Sequence, residues 1–484
     1  MHFISKLRMA LSAGGPKLLR DLISLFSGQG FSMVISFFAF AYVARQMSAE
    51  DYGLIEVAIS IAAFGALVIE CGVGTIGVRE LAKRPHQAAQ IASQAVVARL
   101  IMAALVLPIA AIAAYYSAPD RAALILLMLF VISLIAAPFK QEWLLQGHDL
   151  MHQAAAAQPI RMLAFTLGVF LFVRAGSNPA IVGWIELVAV GLVTFYYFFA
   201  QYRWTVRYVG GWRIKDAFYF LKEGVAVGLS NILWAFMLYA PIYLVVSLTD
   251  ATEAAWLGAS NRIVISLLTL SFIYHFNLYP VITKLVKADV ERWKRLISSS
   301  IRLVSWGGVA LALPLALYSS QIAALVFGPK FSSAGPALAI LVWALPLRMV
   351  SGHSRWSLIA AGQQRYLLQA EVVAAVTLLA VAILAIPSFG AAAAAASFVA
   401  AIAISFALTH YRVGVVVAPL PSLLPAAIPF VLGMAILSVA NVWGLQPIER
   451  GVLAIVAYGI GLACFARTLY ADLVRLAYAK EGNE

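Results

Sequence analysis

Charge is what this sequence has least of. Asp, Glu, Lys and Arg make up 11% of its 484 residues, where a soluble domain uses about 25%. A chain so poor in charge cannot keep a wetted surface around a core, which excludes the soluble enzyme and binding folds. Cysteine is scarce too. Cys71 and Cys464 are far apart, each near the end of an apolar run, so no disulfide framework is indicated. Acidic residues are fewer than basic ones, 21 against 34, for a formal net charge of +13. Nucleic-acid binding would gather those basic residues on a soluble face among aromatic platforms. Here they punctuate apolar runs instead, which excludes nucleic acid as a partner and makes anionic lipid headgroups the neighbours of the basic loops.

What the chain has is apolar residue in long runs, 63% of the total against about 45–50% in soluble proteins. It reads as an all-α polytopic membrane protein. Runs near the ~20 residues that cross ~30 Å of hydrocarbon fall at about 22–43, 54–76, 94–116, 122–140, 154–173 and 180–199. They continue at about 224–247, 256–281, 298–317, 337–359, 368–386, 390–410, 423–441 and 451–468, about fourteen spans in all. Ala39-Phe40-Ala41 mimics a signal-peptidase site, but its run is too long for an h-region and many spans follow, so the first span reads as a retained anchor.

Between the sixth and seventh spans lies a basic, aromatic connector, residues 201–222, with Arg203, Arg207, Arg213, Lys215 and Lys222 against Asp216 alone. The positive-inside rule places it in the cytosol. The same placement leaves the outer loops only Arg45, Arg121, Arg174, Lys330 and Arg450 of the 34 basic residues and puts both termini in the cytosol. The expected organisation is a cytosolic segment 1–21, spans 1–6 over 22–200, the connector 201–222, spans 7–12 over 223–411, and a last helix pair with a cytosolic tail over 412–484. The outer loops are short, and no cluster of acid, base or metal-binding groups stands in them. The expectation is therefore no catalytic centre, no cofactor and no enzyme.

The halves echo each other. Glu142 to Asp149 (EWLLQGHD) ends the fourth span and Arg355 to Arg365 (RWSLIAAGQQR) the tenth; Tyr52-Gly53 opens the second and Trp256-Leu257-Gly258 the eighth. A shared offset of six spans points to a duplicated six-helix unit. Two motifs only look like chemistry. Gly72-Val73-Gly74-Thr75-Ile76-Gly77 satisfies GxGxxG, yet it ends an apolar helix and lacks the preceding strand that dinucleotide binding needs, so it reads as a closely packed helix end. His148 and His152 have a zinc-protease spacing without the general-base Glu or a third ligand, so they read as a polar turn. Gly224 and Gly228 form a GxxxG packing face.

The informative residues are charges at membrane depth: Glu56, Glu70, Arg99, Glu186, Arg262, Arg348 and Glu371. Each would cost on the order of 2.5–3.5 kcal/mol at mid-membrane if it faced lipid, so they turn inward. Arg262 and Arg348, near mid-span, are candidates for a water-filled substrate cavity, with a structural ion pair as the other reading. Arg79, Arg99, Arg161, Arg302 and Arg355 lie nearer cytosolic ends and have the reach to snorkel. His275 beside Asn277 reads as a packed polar pair.

Six stretches, Ala44–Ala58, Val68–Leu81, Glu142–Met151, Ala255–Ile263, Leu325–Leu341 and Ala360–Leu368, together resemble the Wzx-type polysaccharide flippases of the multidrug/oligosaccharidyl-lipid/polysaccharide (MOP) transporter superfamily. The resemblance covers most of Leu19 to Tyr411. It implies a MATE-like fold of two six-helix lobes plus the C-terminal pair, in the bacterial inner membrane. It also implies a cargo of undecaprenyl-pyrophosphate-linked oligosaccharide, moved to the outer leaflet by alternating access for O-antigen or exopolysaccharide synthesis, with a polymerase and a chain-length regulator as assembly partners. Under this reading Arg262 and Arg348 grip the pyrophosphate and Arg79 and Arg99 draw it in. Asn231 and Trp234 contact sugar, and Glu56 and Glu70 are the candidates for ion coupling. The alternatives are an ion-coupled multidrug exporter of the same fold, a lipid II flippase and, more remotely, a membrane polymerase or ligase.

Overall fold

The computed structural model describes residues 15–205, 214–419 and 423–479, and every element among them is helical. Lys6 and Arg8 of the N-terminal segment, and Arg207 and Arg213 of the connector, lie outside the described residues. The chain forms two compact units, Met1–Tyr239 and Ala240–Glu484, which meet inside one helix.

The first unit holds α1 (Gly15–Gln46), α2 (Ala49–Glu70), α3 (Val73–Lys83), α4 (Ala88–Ser117), α5 (Arg121–Ser133), α6 (Glu142–Gly147), α7 (Met151–Phe172), α8 (Ala180–Trp204) and most of α9 (Ile214–Leu248). α1 lies along α7, α7 on α8, α8 on α5, and α2 packs on both α4 and α5. The second expected span does not run straight through 54–76. Cys71 and Gly72 take left-handed backbone angles (φ 42° and 73°), and the chain restarts as α3. Sterics explain the glycines. A Cβ on Gly72 would lie 2.4 Å from the Gly224 carbonyl oxygen, and one on Gly228 would lie 2.5 Å from the Cys71 carbonyl carbon. The expected GxxxG face is thus a backbone-to-backbone contact of α9 with the α2–α3 turn. Gly77 likewise leaves room for the Trp143 ring, 2.5 Å from where its Cβ would stand. His148 and His152 fall on opposite sides of a break at Asp149 (φ 61°), so they share no helix face.

The second unit holds the end of α9 with α10 (Ala251–Ala288), α11 (Val290–Leu317), α12 (Ser319–Phe327), α13 (Gly335–Leu341), α14 (Ala344–Ala360), α15 (Gln364–Val416), α16 (Leu424–Val442) and α17 (Pro447–Ala479). α14 is central, packed on α10, α11 and α15, while α16 and α17 cover α11. α15 breaks at Gly390 (φ 52°, ψ −131°), where the Ala391 N–H donates to Glu253 Oε2 at 2.7 Å. The carboxylate thereby caps the second arm, at the end where the helix dipole favours negative charge.

The repeat noticed in the sequence is visible inside each unit. Two-residue links, Met47-Ser48 and Thr249-Asp250, join the first helix of each half to a second helix capped by Ser48 (accepting from the Asp51 N–H, 3.0 Å) or Asp250 (from the Glu253 N–H, 2.9 Å). Six residues after Trp143 and Trp356 stand the left-handed residues Asp149 (φ 61°) and Gly362 (φ 75°). Each closes a Schellman-type turn, Leu150 N–H to Leu145 O at 2.9 Å and Gln363 N–H to Leu358 O at 2.8 Å. The structural counterpart of Gly362 is therefore Asp149 and not Gly147.

Twelve helical stretches among the described residues are long and apolar enough to cross a membrane. One of them is the whole of α15, whose two arms of about 26 residues each reach ~39 Å, and α1 is not among them. Counting α1 and both arms of α15 would give the expected fourteen. The chain is an all-α, multi-pass membrane protein.

Candidate functional site

A carboxylate or guanidinium at membrane depth needs a partner or water. Four pairs meet that need. Glu70, ending α2, pairs with Arg99 of α4, and Arg99 is buried. The second oxygen of Glu70 accepts the Gly74 N–H at 2.7 Å at the start of α3, and Arg99 Nη1 donates to the Lys140 carbonyl at 2.8 Å. These two residues, expected in different roles, lock the α2–α3 break together. Arg161 of α7 pairs with Glu186 of α8, and Arg355 of α14 with Glu371 of α15. Arg302 of α11 makes a two-pronged contact with the buried Asp472, Nε to Oδ2 at 2.8 Å and Nη2 to Oδ1 at 2.7 Å. The last pair corrects the sequence reading, which ended the final span near residue 468. Helix α17 runs on to Ala479 and carries the buried Asp472 onto the half-buried Arg302.

Arg79 is largely exposed on α3. It donates to Glu223 of α9 at 2.9 Å and lies 3.3 Å from Glu80, which also receives Lys83 at 3.2 Å and Arg84 at 2.6 Å. Asn231 is exposed and Trp234 half-buried on α9, while Glu56 is buried in α2.

Arg262 and Arg348 are half-buried in the second unit. Arg262 begins a stripe on α10 that continues, at helical spacing, through Ser266, Thr269 and Asn277. Ser266 and Asn277 turn their donors back on their own helix, to Arg262 O at 2.8 Å and Ile273 O at 2.9 Å. Arg348 stands two helical turns before Arg355 on the same face of α14, within electrostatic reach of both Arg355 and Glu371. Arg348 and Arg355 thus both lie in the field of Glu371, with Arg355 in direct contact with it.

Sequence reasoning missed a buried polar chain beside it. His275 Nδ1 lies 2.7 Å from the Ser271 carbonyl oxygen and His275 Nε2 is 3.4 Å from His353 Nδ1. His353 Nε2 is 2.6 Å from Ser300 Oγ, which bonds to the Tyr274 hydroxyl. His275 thus pairs with His353 of α14 and not with Asn277, a partner 78 positions away that no local pattern announces. Among the described residues no group of three or more His, Cys, Asp and Glu could hold a metal ion.

The helical architecture and the paired charges at membrane depth define a polytopic membrane protein. The model of the polysaccharide biosynthesis protein family matches residues 18–286, more than half of the chain, and the chain belongs to that family. Among solved structures it is similar to the lipid II flippase MurJ in an inward closed conformation (TM-score 0.74, 13% identity, covering 93% of this chain and 100% of that one). It is also similar to an inward-facing multidrug resistance MATE family transporter (TM-score 0.62, 14% identity, 80% and 95%). A third similar structure is a MOP superfamily transporter from Pyrococcus furiosus, described as having a binding pocket of reverse polarity that suggests a different function (TM-score 0.54, 14% identity, 84% and 98%). Sequence comparison with curated proteins finds no match.

Proposed function

We propose that the protein is a flippase that carries an undecaprenyl-pyrophosphate-linked oligosaccharide from the cytosolic to the outer leaflet of the bacterial inner membrane. The observation that carries this reading is the Arg348–Glu371–Arg355 group, two guanidiniums and one carboxylate at membrane depth, with Arg262 as a further cation in the same unit. Holding guanidiniums at membrane depth is costly, and a cargo with a dianionic linkage offsets that cost. Arginine suits that role because its planar fork donates paired hydrogen bonds and stays charged. The sugar and pyrophosphate cannot cross hydrocarbon without replacement hydrogen-bond partners. Exposing these arginines to each side in turn supplies them, while the polyprenyl tail stays in lipid. Arg79 works at the entry end and Asn231 and Trp234 toward the sugar; Arg99 serves through its buried pair with Glu70.

Family membership supports the polysaccharide setting. The arginines of the Arg348–Glu371–Arg355 group support this reading over export of cationic drugs, which positive charge would repel. A second reading, lipid II as cargo, is favoured by the match to a lipid II flippase. Reconstituted liposomes test both. Fluorescent undecaprenyl-pyrophosphate oligosaccharide is expected to cross with the wild type and not with the Arg262→Ala/Arg348→Ala double variant. Lipid II in excess is expected to leave the rate unchanged, and strong competition would favour the second reading. Movement of cationic dyes without any of the lipid would overturn both.

A further inference from the structure

The chain of side chains inside the second unit has a direction that its acceptors fix. The Ser271 carbonyl at 2.7 Å can only accept, so His275 carries its hydrogen on Nδ1, while its Nε2 faces His353 at 3.4 Å beside the Met349 backbone. The Val350 carbonyl at 3.1 Å likewise places a hydrogen on His353 Nδ1, which points also toward His275 Nε2, and His353 Nε2 is left to accept from Ser300. Tyr274 then donates to Ser300, Ser300 to His353, and His353 toward His275, with every group neutral and satisfied.

One proton can be added without breaking this chain. It binds His353 Nε2, and the Ser300 hydroxyl rotates from donating to accepting, its two lone pairs taking Tyr274 and His353. A second proton would set N–H against N–H across 3.4 Å. Nor can the rings slide apart freely, since α14 lies so close at Gly352 that a Cβ there would be 2.4 Å from His275 Cε1.

The groups around the pair decide what proton binding responds to. α10 brings Tyr274; α11 brings Ser300, with Arg302 turned to Asp472 of α17; and α14 brings Arg348 and Arg355. α15 brings Glu371, on Arg355, and His410, whose Nδ1 is 3.3 Å from Ser354 Oγ; α16 has no titratable side chain. Neither ring has a carboxylate among its hydrogen-bond partners, and Arg348 stands one helical turn before Gly352, whose Cβ position is 2.4 Å from His275 Cε1, so its positive charge acts on the pair.

We propose that His275 and His353 form a one-proton site coupled to the cargo, so that the protein takes up a proton when an anionic headgroup binds Arg348. A cation on the pair is repelled by Arg348, and an anion on Arg348 relieves that repulsion. Each event therefore favours the other, as reciprocal linkage requires. The inference rests on the proposed function for the identity of the anion.

The test adds undecaprenyl-pyrophosphate oligosaccharide to purified protein in weakly buffered detergent and reads proton uptake with a pH-indicator dye. The wild type is expected to take up roughly one proton more per bound lipid than the His275→Gln/His353→Gln variant, a difference that cancels the titration of the lipid itself. The variant should still bind the lipid and melt near the wild type, since Gln can both donate and accept; His410→Gln should keep the uptake. Lipid binding with no uptake difference overturns the proton site. If the wild type binds no lipid, the proposed function has failed and the pair is judged alone by ¹⁵N spectra of histidine-labelled protein between pH 8 and 5. One His275–His353-dependent protonation step keeps it, and none overturns it. Should the double variant not fold, His353→Gln alone, which keeps a partner for Ser300, replaces it with the same two outcomes.

Discussion

At the scale of the residue, buried charges in this protein sort by whether a partner has closed on them. Arg99 is buried, paired to Glu70 and bonded to the Lys140 carbonyl, so removing Glu70 strands a guanidinium away from water. Glu70→Ala is expected to cost about 3–5 kcal/mol, read as a lower melting temperature in detergent. The Arg79–Glu223 pair is exposed on both sides, and Glu223→Gln should shift stability by less than about 1 kcal/mol in the same assay. That intramembrane charges exist was legible in the sequence, because Glu70, Arg99, Glu186, Arg262, Arg348 and Glu371 interrupt apolar runs. Their pairing was not, since partners such as Arg302 and Asp472 are 170 positions apart. Asp472 itself was hidden by Arg467 and Arg475, which made the end of α17 read as a cytosolic tail.

At the scale of the element, glycines decide where helices break and touch. Gly390 holds a backbone conformation outside the L-residue regions, and a Cβ there would lie 2.3 Å from Glu253 Oε2. Gly390→Ala is expected to destabilise by about 1–3 kcal/mol and to disturb the cap on the second arm of α15. Gly307, in the interior of α11, has nothing within 4 Å of its Cβ position, so Gly307→Ala should be neutral or stabilise by roughly 0.5–1 kcal/mol. Paired melting curves check both. The break at Gly390 was legible because Pro387 and Gly390 interrupt an alanine-rich run. The restart at Cys71–Gly72 was half legible: Gly72–Gly77 reads as a closely packed helix end, but that Gly224 and Gly228 are what packs on it shows only in the fold.

At the scale of the whole molecule, duplication and charge together carry the functional account. The capped second helices at Ser48 and Asp250, and the left-handed closures at Asp149 and Gly362, show one design used twice, which the sequence announced by the Trp143 and Trp356 segments. The surplus of positive charge on α14 breaks that symmetry and marks the second unit. Losing one charge-assisted contact to a pyrophosphate is worth about 1.5–3 kcal/mol, roughly 10- to 150-fold in rate if the contact strengthens during transfer. The most direct measurement is the initial rate at which fluorescent undecaprenyl-pyrophosphate oligosaccharide crosses proteoliposomes, compared between wild type and Arg348→Gln of matched stability. The account predicts a rate at least about tenfold lower in the variant, with Arg348→Lys in between. Equal rates in wild type and Arg348→Gln would contradict it.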